Sequence, residues 1–502
     1  MKHKISILPS GKQIFADSGD NLLECLAANG FFLPAACGGN GTCGKCKVYL
    51  LDGKTDGTSP DEHGALLSCR AFVCEDIVIS LPDAEGEGLC DFANVTETGN
   101  AQGLGMVLDI GTTTLAACLI DLATGKILKK HACLNPQGVC GADVLSRIQA
   151  YAEGKGKLLQ DLILKKTSEI LSALVEDESL LPIDTLVIAA NTTMLHLFLC
   201  TDPSTIGAYP FTPVFTDTQR VTGESLGIQA KEVRLLPSAG AYIGSDITAG
   251  ILACGMHAKK STELFVDIGT NGEIVLAHEG KLYAASTAAG PALEGACIEC
   301  GMGGIAGAID KVSLENGKLC FSTIGNAPAR GICGSGLIDL FALLLNEGLI
   351  DETGAWDPDA TSPLVHTLDD DRFYLTDDIY LSQQDIRQFQ LAKAAIAAGI
   401  YTLLASCNIN EESVQALHLA GGLGFYMNIE NAAKTGLLPR KMIHCAKAVG
   451  NTALAGSHHC ILSDDAQKHI EKLATDIEIV ELSFSQVFQE QYMENMMFLR
   501  EE

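Results

Sequence analysis

The phrase Leu108-Asp109-Ile110-Gly111-Thr112 returns later in the chain as Val266-Asp267-Ile268-Gly269-Thr270. In both places an apolar run suited to a buried strand ends in Asp-Ile-Gly-Thr. An Asp at a strand end can face a hydrated magnesium ion, and the amides and hydroxyls of the turn behind it can wrap a phosphate chain. A single phrase of this kind is a weak signal, because many hairpin turns read so. Here each copy opens the same unit. Residues 106–110 read as a strand, followed by a hairpin of 113–121 and 126–131 about Thr124-Gly125. Residues 265–268, 273–278 and 281–285 repeat that order. The duplication predicts two similar lobes with a cleft between them. Asp109, Gly111, Thr112 and Thr113 would form the first phosphate loop, and Asp267, Gly269, Thr270 and Asn271 the second.

Three further segments belong with these loops. Leu419-Ala420-Gly421-Gly422 follows an expected strand at 414–418, and paired glycines there let backbone approach a nucleoside. Gly334-Ser335-Gly336 opens an expected helix over 337–345 and reads either as part of the nucleotide site or as a tight start to that helix. Asp246, in Gly244-Ser245-Asp246-Ile247-Thr248, reads as a cap or first-turn carboxylate favoured by the helix dipole. Its alternative role is to orient a hydrolytic water or magnesium.

Upstream stands a different chemistry. Cys37-x5-Cys43-x2-Cys46 encloses a glycine-rich loop, and Cys69 lies beyond in Leu67-Ser68-Cys69-Arg70. Four thiolates that converge on two irons need a loop whose backbone can wrap the inorganic sulfurs, which glycines permit. Cys74 competes with Cys69 as fourth ligand. Zinc loops usually open with two to four residues between the first cysteines, so a gap of five disfavours a zinc knuckle. Strands at 4–8 and 13–16, a helix over 21–29, the cysteine loop, and strands at 47–51 and 77–81 give the order of a β-grasp domain. Cys25, Cys118, Cys200, Cys254 and Cys333 sit in apolar runs and read as core; Cys297-x2-Cys300 lacks the context of a redox pair.

The chain has 502 residues, 47% of them hydrophobic, and a formal net charge of −28. Such a surface repels phosphate backbones and anionic membranes, which argues against nucleic-acid and membrane partners. The apolar stretches at 337–350 and 391–406 carry charges and read as core helices. Residues 1–11 have no secretory pattern, and 19 cysteines without a signal segment point to a reducing, cytoplasmic setting. The expected domains are 1–82, an acidic linker at 83–104, a first lobe at 105–262 and a second lobe with the C-terminal segment at 263–502.

Residues 3–82 resemble [2Fe-2S] ferredoxin domains, and 105–460 resemble the actin, sugar-kinase and Hsp70 superfamily. The fold class expected is thus α/β and multi-domain: a β-grasp ferredoxin, then a duplicated RNase H-like two-lobed ATPase. Joined in this order, with Asn135-Pro136-Gln137, the run from Gly141 to Ile148, Asp267 to Glu273, Gly331 to Leu337 and Gln390 to Ala395, the chain resembles the reductive activators of corrinoid proteins. That resemblance implies a [2Fe-2S] cluster on Cys37, Cys43, Cys46 and Cys69. It also implies ATP and Mg2+ in the cleft and one-electron reduction of Co(II) to Co(I) in a methyltransferase's corrinoid protein. It further implies a low-potential electron donor upstream and leaves a homodimer open. The tail beyond Cys460 has no cysteine, so no second cluster is expected. Two other functions compete: a redox-sensing small-molecule kinase, and an electron carrier whose actin-like body only docks a partner.

Overall fold

A computed structural model describes residues 2–8, 11–29, 31, 33, 39, 41, 44–61, 64–81, 101–369 and 371–498. The first 80 residues form a five-stranded sheet in the order Lys12–Asp17, Lys2–Leu8, Ile77–Ser80, Lys47–Asp52, Ala65–Leu67. Only Lys2–Leu8 and Ile77–Ser80 run parallel; the other pairs are antiparallel. The helix Leu22–Ala28 lies across this sheet. It starts where Asn21 accepts from the amides of Leu23 and Glu24, and it buries Leu22, Leu23 and Leu26. Burying side chains of this size is worth about 1.5–3 kcal/mol each. This is the β-grasp that the strand order predicts.

The duplication is topological as well as lexical. In the first lobe the strands lie in the order 127–134, 114–121, 104–110, 183–190, 230–235, with Gln219–Thr222 at the edge. In the second, 281–287, 272–278, 263–268, 416–420, 446–450 repeat that order, with Glu478–Ile479 at the edge. Each sheet is an antiparallel hairpin unit continued by two parallel strands. The registers match too: Asp109 lies beside Ala189 and Asp267 beside Ala420. Leu104, placed in the linker by the sequence, is the first residue of Leu104–Ile110, where its neighbours are buried and strand-paired. The rest of that linker, up to residue 100, lies outside the described residues.

Sheets divide at the 262/263 boundary, but helices do not. Thr452–Leu462 returns from the second lobe to pack on Ser245–Ala253 and on the first-lobe strands. Ala453, Leu454 and Cys460 share a core with Val107, Val187, Ala249 and Leu252. A Cβ on Gly456 would fall 2.1 Å from the oxygen of Ala249, so only glycine allows these helices to approach so closely. Both crossing helices begin at the cleft.

The two apolar stretches are core helices. Gly334–Asn346 buries eleven of its residues. Gln383–Ser406 is long and apolar enough to cross a membrane, yet 78% of its most apolar window is packed inside the fold. On it, Gln390 donates to the oxygens of Thr353 (3.0 Å) and Met496 (2.8 Å), and Lys393 to those of Asn495 (2.5 Å) and Met497 (2.8 Å). These two side chains anchor the end of the C-terminal helix Gln486–Asn495. Burial alone pushes the Lys393 ammonium down to about 7.

Candidate functional site

The Asp109 loop is held from three sides. Asn135 donates to the oxygen of Gly111 at 2.7 Å, and its main-chain amide donates to Thr113 at 2.8 Å. The buried guanidinium of Arg147 donates to the oxygen of Thr112 at 2.5 Å and to that of Gly141 at 2.9 Å. Asn191, which caps Thr192–Phe198, donates to the Thr112 hydroxyl at 3.1 Å. The Asp267 loop closes on itself, with the amide of Gly269 donating to the oxygen of Asn271 at 2.9 Å. One carboxylate joins the two loops. Glu294 accepts from the hydroxyl of Thr270 at 2.6 Å and from that of Thr113 at 3.2 Å.

Five carboxylates meet here. Asp109, Asp246, Asp267, Glu273 and Glu294 are each part-buried, so they line a cleft rather than a sealed core. Burial, opposed by a 2.8 Å bond from Asn451 and aided by the charge of Asp267, pushes Asp109 up to about 7. Burial and then the charge of Asp109 raise Asp246 to about 7. Burial, then Asp246 and Glu294, do the same to Asp267. Glu273 lies directly across the strand pair from Asp267, and burial followed by Asp246 and Asp267 raises it well above its ordinary value. Like charges placed opposite on a pair of strands are destabilising. Burial raises Glu294, and its threonine bonds oppose the rise. Hard cations take such oxygen donors. Among the described residues no three histidine, cysteine or acidic side chains are disposed to hold one metal ion.

This electrostatic strain has a measurable sign. A carboxyl raised in the fold holds a proton that the unfolded chain has released. The stability it confers is therefore present below the ordinary value near 4 and is lost as pH rises through about 7. Without divalent cation the melting temperature should be higher at pH 6 than at pH 8, and Mg2+ should raise the pH 8 value. Glu273→Gln should narrow that difference, by roughly 1–2 °C for each kcal/mol relieved. Scanning calorimetry checks both; equal melting temperatures for the variant and the parent at pH 8 would remove the repulsion from the account.

Helix starts surround the carboxylates. Asp246 sits in the first turn of Ser245–Ala253, whose cap is Gly244, and accepts from the amide of Ile247 at 2.9 Å. Asn451 caps Thr452–Leu462 while it holds Asp109. Gly421, at φ +76°, begins the short helix Gly421–Tyr426, and a Cβ there would fall 2.4 Å from Asp267 Oδ1. Gly422 has open space over its Cα. Gly334 packs on the oxygen of Leu293, and Ser335 bonds Cys333 at 3.3 Å. Helix N-termini favour anions. The structure thus brings the residues expected at 109–113, 246, 267–271 and 421 to one cleft, with Gly334 and Ser335 against the turn that carries Glu294.

Sequence reasoning passed over Glu273, Glu294, Asn451 and Asn191 as site residues. Asn135 and Arg147 lay inside phrases it quoted, without a role. Glu273 was findable, since alternation across the hairpin from Asp267 puts it on the same face. Glu294 gave no such signal: it ends the one-turn helix Pro291–Glu294, and nothing local shows what it reaches.

In the cluster domain Cys46 and Cys69 are buried in one apolar core with Leu23, Leu26 and Val48. Gly39 of the cysteine loop lies against Cys69, with an ideal Cβ 3.9 Å from that of Cys69, and Gly41 lies against Arg70. Cys74 instead bonds the oxygen of Lys54 at 3.4 Å, beside Asp56 and Glu75. Two buried thiols in one core, with Cys69 against a glycine of the cysteine loop, fit a cluster bound by thiolates. Cys37 and Cys43 lie outside the described residues.

Comparison with known proteins accounts for the pairing of these sites. Residues 5–74 match the 2Fe-2S iron-sulfur cluster binding domain, 104–259 the RACo middle region, and 261–502 the C-terminal domain of RACo, the ASKHA domain. The corrinoid activation enzyme RamQ of Eubacterium limosum is 36% identical over 420 residues, covering 78% of this chain and 70% of its own. The chain belongs to the reductive activators of corrinoid proteins. Within that family, the [Co(II) methylated amine-specific corrinoid protein] reductase of Methanosarcina barkeri is 24% identical over 74% of this chain and 73% of its own. A solved activator structure, the reductive activator for corrinoid, iron-sulfur protein, superposes over 99% of this chain and 98% of its own. Its TM-score is 0.72 at 29% identity. As a member of the activator family the chain joins an iron–sulfur domain to an ASKHA body, which is the architecture that the five-stranded sheet and the two six-stranded sheets display.

Proposed function

We propose that this protein uses ATP to drive one electron from a [2Fe-2S] cluster to the Co(II) of a corrinoid protein in a methyltransferase system, restoring Co(I). The observation that carries this reading is the bridge of Glu294 between the Asp109 and Asp267 loops of opposite lobes, in a body to which Lys45 bonds the cluster domain. Cys37, Cys43, Cys46 and Cys69 would hold the cluster, which when bound supplies a one-electron carrier. Asp109 and Asp267 would position hydrated Mg2+, and the hydroxyls of Thr112, Thr113 and Thr270 with the amides of Gly111, Gly269 and Asn271 would take the phosphates. Gly334, Ser335, Gly421 and Gly422 would line the nucleoside. Asp246, raised to about 7 beside Asp109, would accept a proton from the attacking water. We place this activity in the cytoplasm, with an upstream low-potential donor.

The scale of the coupling is reasonable. Plant-type clusters lie near about −400 mV. Moving one electron ~200 mV uphill costs about 5 kcal/mol. A cleft that closes on a nucleotide needs about 5.5 kcal/mol of differential binding to swing from 1:99 to 99:1. The two magnitudes match, so closure on a nucleotide works on the scale that the uphill electron requires.

ATP turnover measured alone and with a Co(II) corrinoid protein tests the assignment. Turnover should rise with the partner. Turnover that is indifferent to corrinoid protein, together with phosphorylation of a small hydroxylated or carboxylated metabolite, would instead make the protein a kinase with Asp246 as its base. No turnover in any mixture would make the ASKHA body a docking module.

A further inference from the structure

The cluster domain stands on both lobes. Its helix Leu22–Ala28 lies against the turn Pro136–Val139 of the first. In the second, Lys45 Nζ donates to the main-chain oxygens of Ile298 at 3.0 Å and Gly301 at 2.8 Å. Lys45 stands between Gly44 and Cys46, inside the loop of expected cluster ligands. Each foothold adjoins a phosphate loop. Asn135, which caps the first turn, also holds Gly111. The second foothold follows closely in the chain on Glu294, the residue that bridges Thr113 and Thr270.

The segment from Glu294 to Gly301 is braced along its length. Ala296 donates to Pro291 at 3.0 Å and Gly301 to Ile298 at 3.0 Å, and Ile332 donates to Cys300 at 2.9 Å. The amide of Glu299 donates to Asp385 at 2.8 Å, and Tyr380 donates to the Glu299 carboxylate at 2.7 Å. Segments tied in this way shift between discrete arrangements rather than deform along their length.

We propose that Lys45 is a positioning residue that latches the cluster domain across the cleft, and that a nucleoside triphosphate bound between the phosphate loops releases it through Glu294. The release rests on the ATP reading above. Its direction follows from competition. A phosphate chain needs the hydroxyls of Thr113 and Thr270, which Glu294 holds, and two anions repel at that distance. Glu294 yields, the braced segment moves with it, and the two oxygens lose their common ammonium. Such bonds weaken steeply outside about 2.7–3.2 Å. Release frees the cluster loop to face a partner only when nucleotide is present.

Hydrogen–deuterium exchange of peptides 44–50 and 296–303 tests this on the full cluster-loaded protein, with a non-hydrolysable ATP analogue and Mg2+. The analogue should speed exchange in both peptides by about 10- to 150-fold, the range expected for losing a bond to a charged donor. Lys45→Met should exchange fast without analogue and gain nothing from it, while the cluster's visible spectrum stays unchanged and analogue affinity rises, because binding no longer has to break the latch. Lys45→Arg should restore the response. Unchanged exchange when calorimetry records analogue binding would overturn the latch and leave the ATP reading standing. Exchange in Lys45→Met equal to the parent's would overturn it as well. If calorimetry records no binding, the ATP reading falls and nucleotide control falls with it.

Discussion

Asp267→Asn is expected to lower ATP turnover by about 10² or more, the scale seen when one preorganised electrostatic group is removed from a reacting centre. The expectation rests on position. Asp267 ends its strand between Ala420 on one side and Glu273 on the other, with Gly421 packed against its carboxylate. The approach is so close that a Cβ at residue 421 would fall 2.4 Å from Asp267 Oδ1. The amide keeps the size and most of the hydrogen bonding, so the fold should survive and, without cation, gain stability. The cluster's visible spectrum should not change, since Cys46 and Cys69 lie in a separate core. Steady-state turnover and the spectrum are read on one preparation. Parental turnover in both Asp267→Asn and Asp109→Asn would remove these residues from the mechanism.

The second large effect is expected from Cys69→Ala: loss of the cluster, and with it all electron delivery. Cys69 is buried beside the glycine loop and in the same core as Cys46. Cys74 is turned to Lys54, among acidic neighbours that disfavour a thiolate. Iron content and EPR of Cys69→Ala and Cys74→Ala distinguish them. Loss of the cluster in Cys74→Ala with retention in Cys69→Ala would exchange the two roles. ATP turnover without partner should persist in Cys69→Ala, because the side chains that hold the Asp109 loop and bridge it to Thr270 belong to the two lobes.

Much of this was legible in the chain because it is local. The repeated Asp-Ile-Gly-Thr announced two equivalent strand ends, and strand pairing makes them equivalent in register. The cysteine spacing and the alternation at 77–80 announced the β-grasp. What stayed hidden is what only the fold brings near. Asn451 reaches Asp109 because a helix from the far end of the chain crosses back to the first lobe. Glu294 reaches both threonines from a one-turn helix whose sequence marks only its ends, with Pro291 and Gly295. Lys45 meets residues 298 and 301 across domains, where neither sequence predicts the other. Arg147 stands in the quoted run from Gly141 to Ile148 with nothing local to mark its role, yet it is buried and donates to the oxygen of Thr112 in the Asp109 loop.

The central claim is that nucleotide and electron are coupled, and anaerobic absorption spectroscopy of the cobalt tests it most directly. The reduced protein is mixed with a Co(II) corrinoid protein, and the cobalt bands are followed with ATP and Mg2+, with a non-hydrolysable analogue, and with neither. Co(I) should accumulate with ATP and Mg2+, more slowly or not at all with the analogue, and not at all with Cys69→Ala. Co(I) appearing at the same rate and to the same extent without nucleotide would contradict the account.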